Sequence, residues 1–254
     1  MVSIGIDIGS TAAKAAVVED GNVVATIVEP TGFNSVDAAQ RLAAKLSDRG
    51  YSVEDNPVVA TGYGRIAVPF AAKTVTEITC HGLGAAHLFG SDGVIVDIGG
   101  QDTKVIQLSN GRVKKFIMND KCAAGTGKFL EVMADRMGVT QDTMGDMARA
   151  GSPVAISSMC TVFAESEVIS LIGKGEPREN IANGVIESVV GRVSSLAGSV
   201  LNSQPDGAPC FLTGGLCENS YVIERLEASL KRSVITCPEA RFAGAIGAAL
   251  ISAK

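Results

Sequence analysis

Two stretches of the chain repeat an arrangement of aspartate, glycine and polar side chains that suits phosphate chemistry. They are GIDIGSTAAK at residues 5–14 and IVDIGGQDTK at residues 95–104. In each, an Asp-x-Gly turn follows an apolar run. Glycine lets phosphate oxygens approach backbone N–H groups, and the aspartate can hold Mg²⁺ through water. We therefore predict two phosphate-binding turns that face each other across a cleft.

The predicted nucleotide contacts follow from these turns and from a third. The first turn supplies Asp7, Gly9, Ser10, Thr11 and Lys14, and the second supplies Asp97, Gly99, Gly100 and Gln101. Asp7 and Asp97 are the predicted Mg²⁺ ligands. Gln101 or Asp102 is expected to orient the attacking water, with Gln101 favoured and Glu77 as a second candidate. A strand–Gly-Gly–helix turn at Gly214 and Gly215, followed by Asn219, is predicted to hold the adenosine.

Two cysteines stand just ahead of predicted helices. Cys122 lies in NDKCAAGTGKFL at residues 119–130, and Cys160 lies in ISSMCTVFAESEVISLI at residues 156–172. The positive end of a helix favours the metal-binding thiolate. The N–H groups at Gly125 and Thr126 are also candidates for phosphate or ribose contacts. Two cysteines give two ligands, whereas a [4Fe–4S] cluster takes four thiolates, which a twofold dimer would supply.

The alternative for any lone cysteine is that it is a small buried apolar residue. We expect this for Cys80, Cys210, Cys217 and Cys237, since none of the six cysteines forms a CxxC pair. Cys80 with His81 lacks further metal ligands nearby. His87 is expected to pack in the core.

The elements that position these residues form the order strand–strand–strand–helix–strand–helix twice. Strands are predicted at 4–8, 14–19, 23–28, 58–61, 93–98, 103–108, 113–118, 210–213 and 234–236. Helices are predicted at 36–47, 81–89, 126–138, 141–149, 161–172, 179–202, 219–231 and 242–253. Asp20-Gly21 and Asn110-Gly111 are type I′ hairpin signals. The prediction is an α/β chain with domains 1–92 and 93–254, whose last helix packs back on the first domain.

Composition narrows the class of protein. Hydrophobic residues make up 46% of the 254, aromatic residues 4%, and the net charge is −5 without a basic stripe, which argues against a nucleic-acid partner. We see no leader peptide, and the longest apolar run, 242–253, is too short to span a bilayer. We therefore expect a cytoplasmic protein with no membrane partner.

The three turns, in this order, resemble those of the acetate and sugar kinase, heat-shock-70 and actin superfamily. The resemblance implies two ribonuclease-H-like domains with an ATP cleft between them, and it leaves kinase, chaperone and ATPase open.

The two cysteine segments indicate a particular family within this superfamily. They resemble the ligand segments of the activators of 2-hydroxyacyl-CoA dehydratases, which are related to benzoyl-CoA reductase ATPase subunits. GIDIGST, ATGYGR at residues 60–65, VDIGGQD and LTGGL match the same family, so the resemblance covers essentially the whole chain.

This resemblance implies a homodimeric ATPase with one bridging [4Fe–4S] cluster held by Cys122 and Cys160 of each chain. Ferredoxin or flavodoxin would donate an electron, and ATP hydrolysis would drive it into a partner iron–sulfur dehydratase. We hypothesise that closure on ATP reorients the helices behind both cysteines.

Three alternatives stay open at this stage. In the first, the protein that accepts the electron is a different iron–sulfur protein, of the double-cubane or benzoyl-CoA reductase type. The chain is a small-molecule kinase, such as an N-acetylglucosamine kinase, although we find no sugar-binding general base in its first half. The chain is an actin-like assembly protein, which would leave the cysteine segments unexplained.

Overall fold

The computed structural model describes residues 1–157, 160–205 and 207–253. The strands are β1 (Val2–Ile8), β2 (Ala12–Glu19), β3 (Asn22–Pro30), β4 (Val58–Thr61), β5 (Lys73–Thr74), β6 (Gly93–Ile98), β7 (Thr103–Ser109), β8 (Arg112–Asn119), β9 (Cys210–Gly214) and β10 (Val234–Ile235). The helices are α1 (Ser35–Ser47), α2 (Glu77–Phe89), α3 (Gly127–Met137), α4 (Gln141–Ala150), α5 (Thr161–Gly173), α6 (Arg178–Leu201), α7 (Ser220–Leu230) and α8 (Ala243–Ser252).

The predicted elements are all present, and most of their ends agree within two residues. Helix α2 begins a full turn earlier than predicted, so Glu77 lies in its first turn. Strand β5 and two short 3-10 helices, Arg65–Ala67 and Pro238–Phe242, were not predicted, because segments of two to five residues carry too little periodicity.

The chain forms two compact units. Unit 1 contains Met1–Ile95, Ile106–Phe116 and Cys237–Lys254, and unit 2 contains Val96–Val105 and Ile117–Thr236. The last helix, α8, therefore belongs to unit 1. The division into domains 1–92 and 93–254 follows the sequence repeat and stays a prediction.

The first sheet has the order β3-β2-β1-β4-β5. Strand β1 is antiparallel to β2, with Asp7 opposite Lys14, and parallel to β4, with Asp7 opposite Thr61. Helix α8 covers β1 at very short range. A Cβ added to Gly5 would lie 1.9 Å from the carbonyl oxygen of Ala245, so only glycine permits this approach. Strand β1 can therefore be buried on both faces, which is why it reads as a continuous apolar run.

The second sheet repeats the plan with the order β10-β9-β6-β7-β8. In both sheets a tight hairpin joins the second and third strands. Asp20 and Asn110 have φ values of 49° and 52°, and the glycines that follow them have φ values of 84° and 71°. Two successive positive φ values define a type I′ turn, so both hairpin predictions are confirmed.

Helix α6 is the longest element, and by length and mean hydropathy it could cross a membrane. Half of its most apolar window is buried inside the protein, as in a core helix. Its buried face includes Ile181, Val185, Val189 and Val193, which repeat every four residues.

Candidate functional site

The turn at the end of β1, residues 7–12, is the first of the predicted phosphate-binding turns, and we call it the phosphate-1 turn. Its backbone closes through a hydrogen bond from the Gly9 N–H to the Ala12 carbonyl, at 3.1 Å. Thr31 braces it, since its hydroxyl donates to the Gly9 carbonyl at 2.7 Å and its N–H donates to the Thr11 carbonyl at 2.9 Å. The side chains of Ser10 and Thr11 are exposed. The turn is thus rigid in its backbone and presents two hydroxyls to solvent.

Asp7 lies in a tight enclosure inside unit 1. A Cβ on Gly62 would lie 2.4 Å from its Oδ1, and a Cβ on Gly244 would lie 2.5 Å from its Oδ2 and 2.8 Å from His81 Cε1. The N–H of Gly64 donates to the Ile8 carbonyl at 2.9 Å. The turn at residues 60–65, to which the sequence assigned no role, therefore supports the phosphate-1 turn. Gly244 and His81 were missed because they adjoin Asp7 only in space.

The turn at the end of β6, residues 97–102, is the second predicted phosphate-binding turn, and we call it the phosphate-2 turn. It has the same closure, from the Gly99 N–H to the Asp102 carbonyl at 2.9 Å. Lys104 is 1% exposed, and its Nζ lies 3.3 Å from Asp97 Oδ2 and 2.8 Å from Asp102 Oδ2. It is a buried counter-ion for both carboxylates and not a charge on a strand surface. Gln101 is exposed in the same turn.

The Gly214-Gly215 turn, which is predicted to hold the adenosine, adjoins the phosphate-2 turn in unit 2. Gly215 donates to the Ile98 carbonyl at 3.0 Å, and a Cβ on Gly214, whose φ is +88°, would lie 2.3 Å from that oxygen. Thr213 donates through its hydroxyl to Asp97 Oδ1 at 2.7 Å. Asn219 caps α7 by accepting from the Val222 N–H at 3.0 Å. The structure therefore brings two of the three predicted nucleotide turns together.

The loop that carries Cys122 is fixed by side-chain hydrogen bonds. The Asn119 amide donates to the carbonyls of Cys122 and Ala124 at 2.9 and 3.1 Å. The hydroxyl of Thr126 donates to the Ala123 carbonyl at 2.6 Å, and Thr126 is fully buried. Cys122 itself is exposed. The loop thus holds its thiol outward on a pinned backbone.

The N-terminus of α3 differs from the prediction. The N–H groups of Gly127 and Lys128 donate to the carbonyls of Gly99 and Gly100 at 2.9 and 2.7 Å, and the Thr126 N–H donates to Ala123 at 3.1 Å. These groups are engaged by backbone carbonyls, so the structure does not direct them at a phosphate or at Cys122. The first turn of α3 is instead bonded to the phosphate-2 turn. The nucleotide roles of Gly125 and Thr126 stay predictions.

Cys160 directly precedes α5, as predicted; it occupies the N-cap position itself, and it is exposed. Cys122 and Cys160 line one open hollow with a volume of about 560 Å³ in unit 2. They are separated by the whole of α3 and α4 in sequence and meet only through the fold. In the described part of the chain, no group of three or more His, Cys, Asp or Glu residues could hold a metal ion. One chain therefore offers two thiols at this hollow.

Acidic side chains support the two cysteine segments. Glu165 on α5 pairs with Arg136 on α3, which links the helices that follow Cys160 and Cys122. Glu167 accepts from the N–H and the hydroxyl of Ser157, both at 3.1 Å, ahead of Cys160. Residues 158 and 159 of the predicted segment lie outside the described residues. Both glutamates therefore help to position α5.

The other four cysteines were predicted to be buried apolar residues, and this is confirmed for three of them. Cys80, Cys210 and Cys217 are buried, and burial raises the pKa of the Cys80 and Cys210 thiols to about 11. Cys237 is half-buried. The expectation for His87 is wrong: it is exposed in the last turn of α2. Small residues, among them Gly84 and Ala85, lie on the packed face of α2, and a Cβ on Gly84 would lie 1.9 Å from the Ala243 carbonyl oxygen of α8.

Residues 4–252 match the BadF/BadG/BcrA/BcrD ATPase family. The chain belongs to this family. A relative with an assigned role is the activator of lactoyl-CoA dehydratase of Anaerotignum propionicum, which is 43% identical over 256 residues, covering 98% of this chain and 96% of the relative.

Two solved structures resemble the chain over nearly its full length. Component A of the (R)-2-hydroxyglutaryl-CoA dehydratase of Acidaminococcus fermentans has a TM-score of 0.92 and 40% identity, and the match covers 100% of both chains. The activator of the 2-hydroxyisocaproyl-CoA dehydratase of Clostridium difficile, with bound ADPNP, has a TM-score of 0.90 and 39% identity, covering 99% of this chain and 94% of that one. The predicted fold class, α/β with two sheets of the actin, Hsp70 and sugar kinase type, is confirmed.

Proposed function

We propose that this chain is an ATP-driven electron-transfer protein. In this proposal a homodimer holds one [4Fe–4S] cluster and passes a single electron from ferredoxin or flavodoxin to a partner iron–sulfur enzyme, a 2-hydroxyacyl-CoA dehydratase. ATP hydrolysis makes the transfer favourable. The relatives that activate such dehydratases support the choice of partner.

The observation that carries the proposal is the shared hollow of Cys122 and Cys160. Both thiols are exposed, whereas cysteines with a purely structural role are usually buried. Cysteine thiolates are the usual ligands of a [4Fe–4S] cluster, and four are needed. Two chains related by a twofold axis supply four at one point. When bound, the cluster supplies a one-electron redox couple.

A second copy is also favoured by the surface beside Cys160. Four apolar side chains of α5 are exposed by between 42% and 68%, and we call them the α5 apolar face: Val162, Phe163, Ile169 and Ile172. Exposed apolar clusters of this kind usually mark contacts with another protein. Because these side chains lie on the helix that Cys160 caps, a second copy of the chain that shares the cluster could bury them while completing the ligand set.

Each turn has a distinct role toward ATP and Mg²⁺. In unit 1, the Ser10 and Thr11 hydroxyls and Lys14 would bind phosphate, and Asp7 would hold Mg²⁺ through water. In unit 2, Gly99 and Gly100 would let phosphate approach closely, and Gly214 and Gly215 would lie against the adenosine. Asp97 already accepts from Lys104 and Thr213, so it would hold Mg²⁺ through water. The relative with bound ADPNP supports nucleotide binding.

Gln101 is the residue we assign to the hydrolytic water. Its side chain is exposed in the phosphate-2 turn, whereas the Asp102 carboxylate is paired with buried Lys104. An amide can both donate to and accept from a water molecule, which suits positioning. Asp102 then holds the shape of the turn.

The link between nucleotide and cysteine hollow runs through α3. Its first N–H groups are hydrogen-bonded to the phosphate-2 carbonyls of Gly99 and Gly100, and its N-cap Thr126 holds the Ala123 carbonyl beside Cys122. A shift of the phosphate-2 turn therefore moves the start of α3 and the loop with it. The Arg136–Glu165 pair extends this to α5.

The test is anaerobic purification of the full chain, followed by iron and sulfide analysis and EPR. We expect about four iron and four sulfide per dimer in the wild type. Cys122→Ala and Cys160→Ala should each lose the bound iron. Cys237→Ala is the matched control, because Cys237 is half-buried in unit 1 and should leave the cluster intact.

Two results would contradict the proposal. One is a metal-free monomer even after reconstitution with iron and sulfide. The other is a cluster that survives Cys122→Ala and Cys160→Ala together. A colourless protein that phosphorylates a sugar would favour the kinase alternative. If the protein stimulates a double-cubane-type acceptor but no dehydratase, the proposed partner is wrong and the electron-transfer mechanism stands.

A further inference from the structure

We infer that Arg192 is the electrostatic partner of the cluster, and that it stabilises the reduced state by placing a fixed positive charge at the cysteine hollow. This rests on the proposed function, since it concerns the group that Cys122 and Cys160 would hold. The position, packing and charge of Arg192 support it.

Arg192 is fixed against the loop that carries Cys122. It lies on α6 and lines the same hollow as Cys122 and Cys160. Its side-chain stem packs on Gly125, because a Cβ at Gly125 would lie 3.0 Å from Arg192 Cβ and 3.6 Å from its Cδ. Gly125 has a φ of +80°, and its carbonyl accepts from the Thr103 hydroxyl at 2.6 Å. The Arg192 stem therefore packs directly on the loop that carries Cys122, and Thr103 holds that loop in place at Gly125.

Most neutral donors around the hollow are committed to backbone carbonyls. The Thr103 hydroxyl donates to Gly125, the Asn119 amide to Cys122 and Ala124, and the Ser199 hydroxyl to Leu196 at 2.7 Å. Of the described residues that line the hollow, Arg192 alone carries a formal charge at neutral pH apart from any thiolate.

A fixed cation acts differently on the two redox states. Adding an electron makes a thiolate-bound cluster more negative by one charge, so a nearby positive charge stabilises the reduced state more than the oxidised state. Net charge and hydrogen bonds to sulfur are among the factors that set cluster potentials. Arg192 should therefore raise the midpoint potential. Its removal should make reduction harder without removing any ligand.

The experiment compares midpoint potentials of reconstituted full-length dimers by EPR-monitored redox titration. The variants are Arg192→Gln, Arg192→Lys and the control Arg225→Gln, which removes a positive charge from unit 2 where Arg225 pairs with Glu187, outside the hollow. At a fixed solution potential, we expect Arg192→Gln to lower the ratio of reduced to oxidised cluster about tenfold, or about 59 mV for one electron. Arg192→Lys should keep most of the wild-type ratio, and Arg225→Gln should match the wild type.

The outcomes separate this inference from the proposed function. Equal potentials in wild type, Arg192→Gln and Arg192→Lys would overturn the inference and leave the proposed function intact. A wild type without a cluster would defeat both. If Arg192→Gln and Arg192→Met assemble no cluster while Arg192→Lys does, a positive charge is required at the hollow, which supports the inference. If Arg192→Lys behaves like the neutral variants in assembly and potential, the charge argument is wrong.

Discussion

The cysteines show how a residue's surroundings decide its chemistry. Cys122 and Cys160 are exposed, whereas burial raises the pKa of Cys80 and Cys210 to about 11. At pH 8 a thiol of that pKa is about 0.1% thiolate, and the thiolate is the reactive form. We predict that iodoacetamide modifies Cys122 and Cys160 first in metal-free native protein, which peptide mass spectrometry would show.

The same pKa shift has a consequence for stability. A folded-state pKa above the usual value of 9.0 means that the unfolded chain loses its proton first as the pH rises. The free energy of unfolding should therefore be unaffected below about pH 9 and fall between pH 9 and 11. Rapid modification of Cys210 in folded protein at pH 8 would contradict this assignment.

Lys104 is the residue whose role changes most between sequence and structure. On sequence alone it is a charge in a strand, and the structure places it, fully buried, between Asp97 and Asp102. A buried ion pair seldom adds much net stability, but it holds specific groups in register. Here the groups are the two carboxylates of the phosphate-2 turn.

At the scale of elements, the contact between α2 and α8 depends on glycine. A Cβ added to Gly247 would lie 1.8 Å from the carbonyl oxygen of Cys80, which is backbone and cannot rotate away. We predict that Gly247→Ala forces the helices apart and lowers the free energy of unfolding by about 1–3 kcal/mol or more. Urea denaturation followed by circular dichroism measures this.

Gly191→Ala is the matched control within α6. Apart from its chain neighbours and the backbone of its own helix, no atom of the described residues lies within 4 Å of a Cβ added there. Alanine is the better helix former, so this variant should gain about 0.5–1 kcal/mol. If the free energy of unfolding falls in Gly247→Ala and rises in Gly191→Ala, the close contact between α2 and α8 is the cause of the loss. A loss of similar size in both would mean that the α2–α8 contact is not the cause.

At the scale of the whole molecule, the α5 apolar face should hold two copies together. Phe163 is 68% exposed beside Cys160. Phe163→Glu places a charge where a second chain would cover it, and we predict at least a tenfold increase in the dimer dissociation constant, or about 1.4 kcal/mol. Analytical ultracentrifugation under anaerobic conditions gives this constant, and bound iron should fall in parallel.

Phe33→Glu provides the comparison for that substitution. Phe33 is fully exposed, but it lies in unit 1 ahead of α1. The same change of size and charge there should leave the dimer and its iron content unchanged. A Phe163→Glu protein that remains dimeric with a full complement of iron would exclude the α5 apolar face from the interface.

The sequence by itself determined the local elements and the repeated strand order. Strand and helix periodicity, the two Asp-x-Gly turns and the Asp20-Gly21 and Asn110-Gly111 hairpins are properties of neighbouring residues, so they can be read without the fold. Only the tertiary structure decided which distant groups meet. The hollow shared by Cys122 and Cys160, the burial of Lys104 and the exposure of His87 depend on how helices and strands pack, because contact across the chain is set by packing and not by spacing along it.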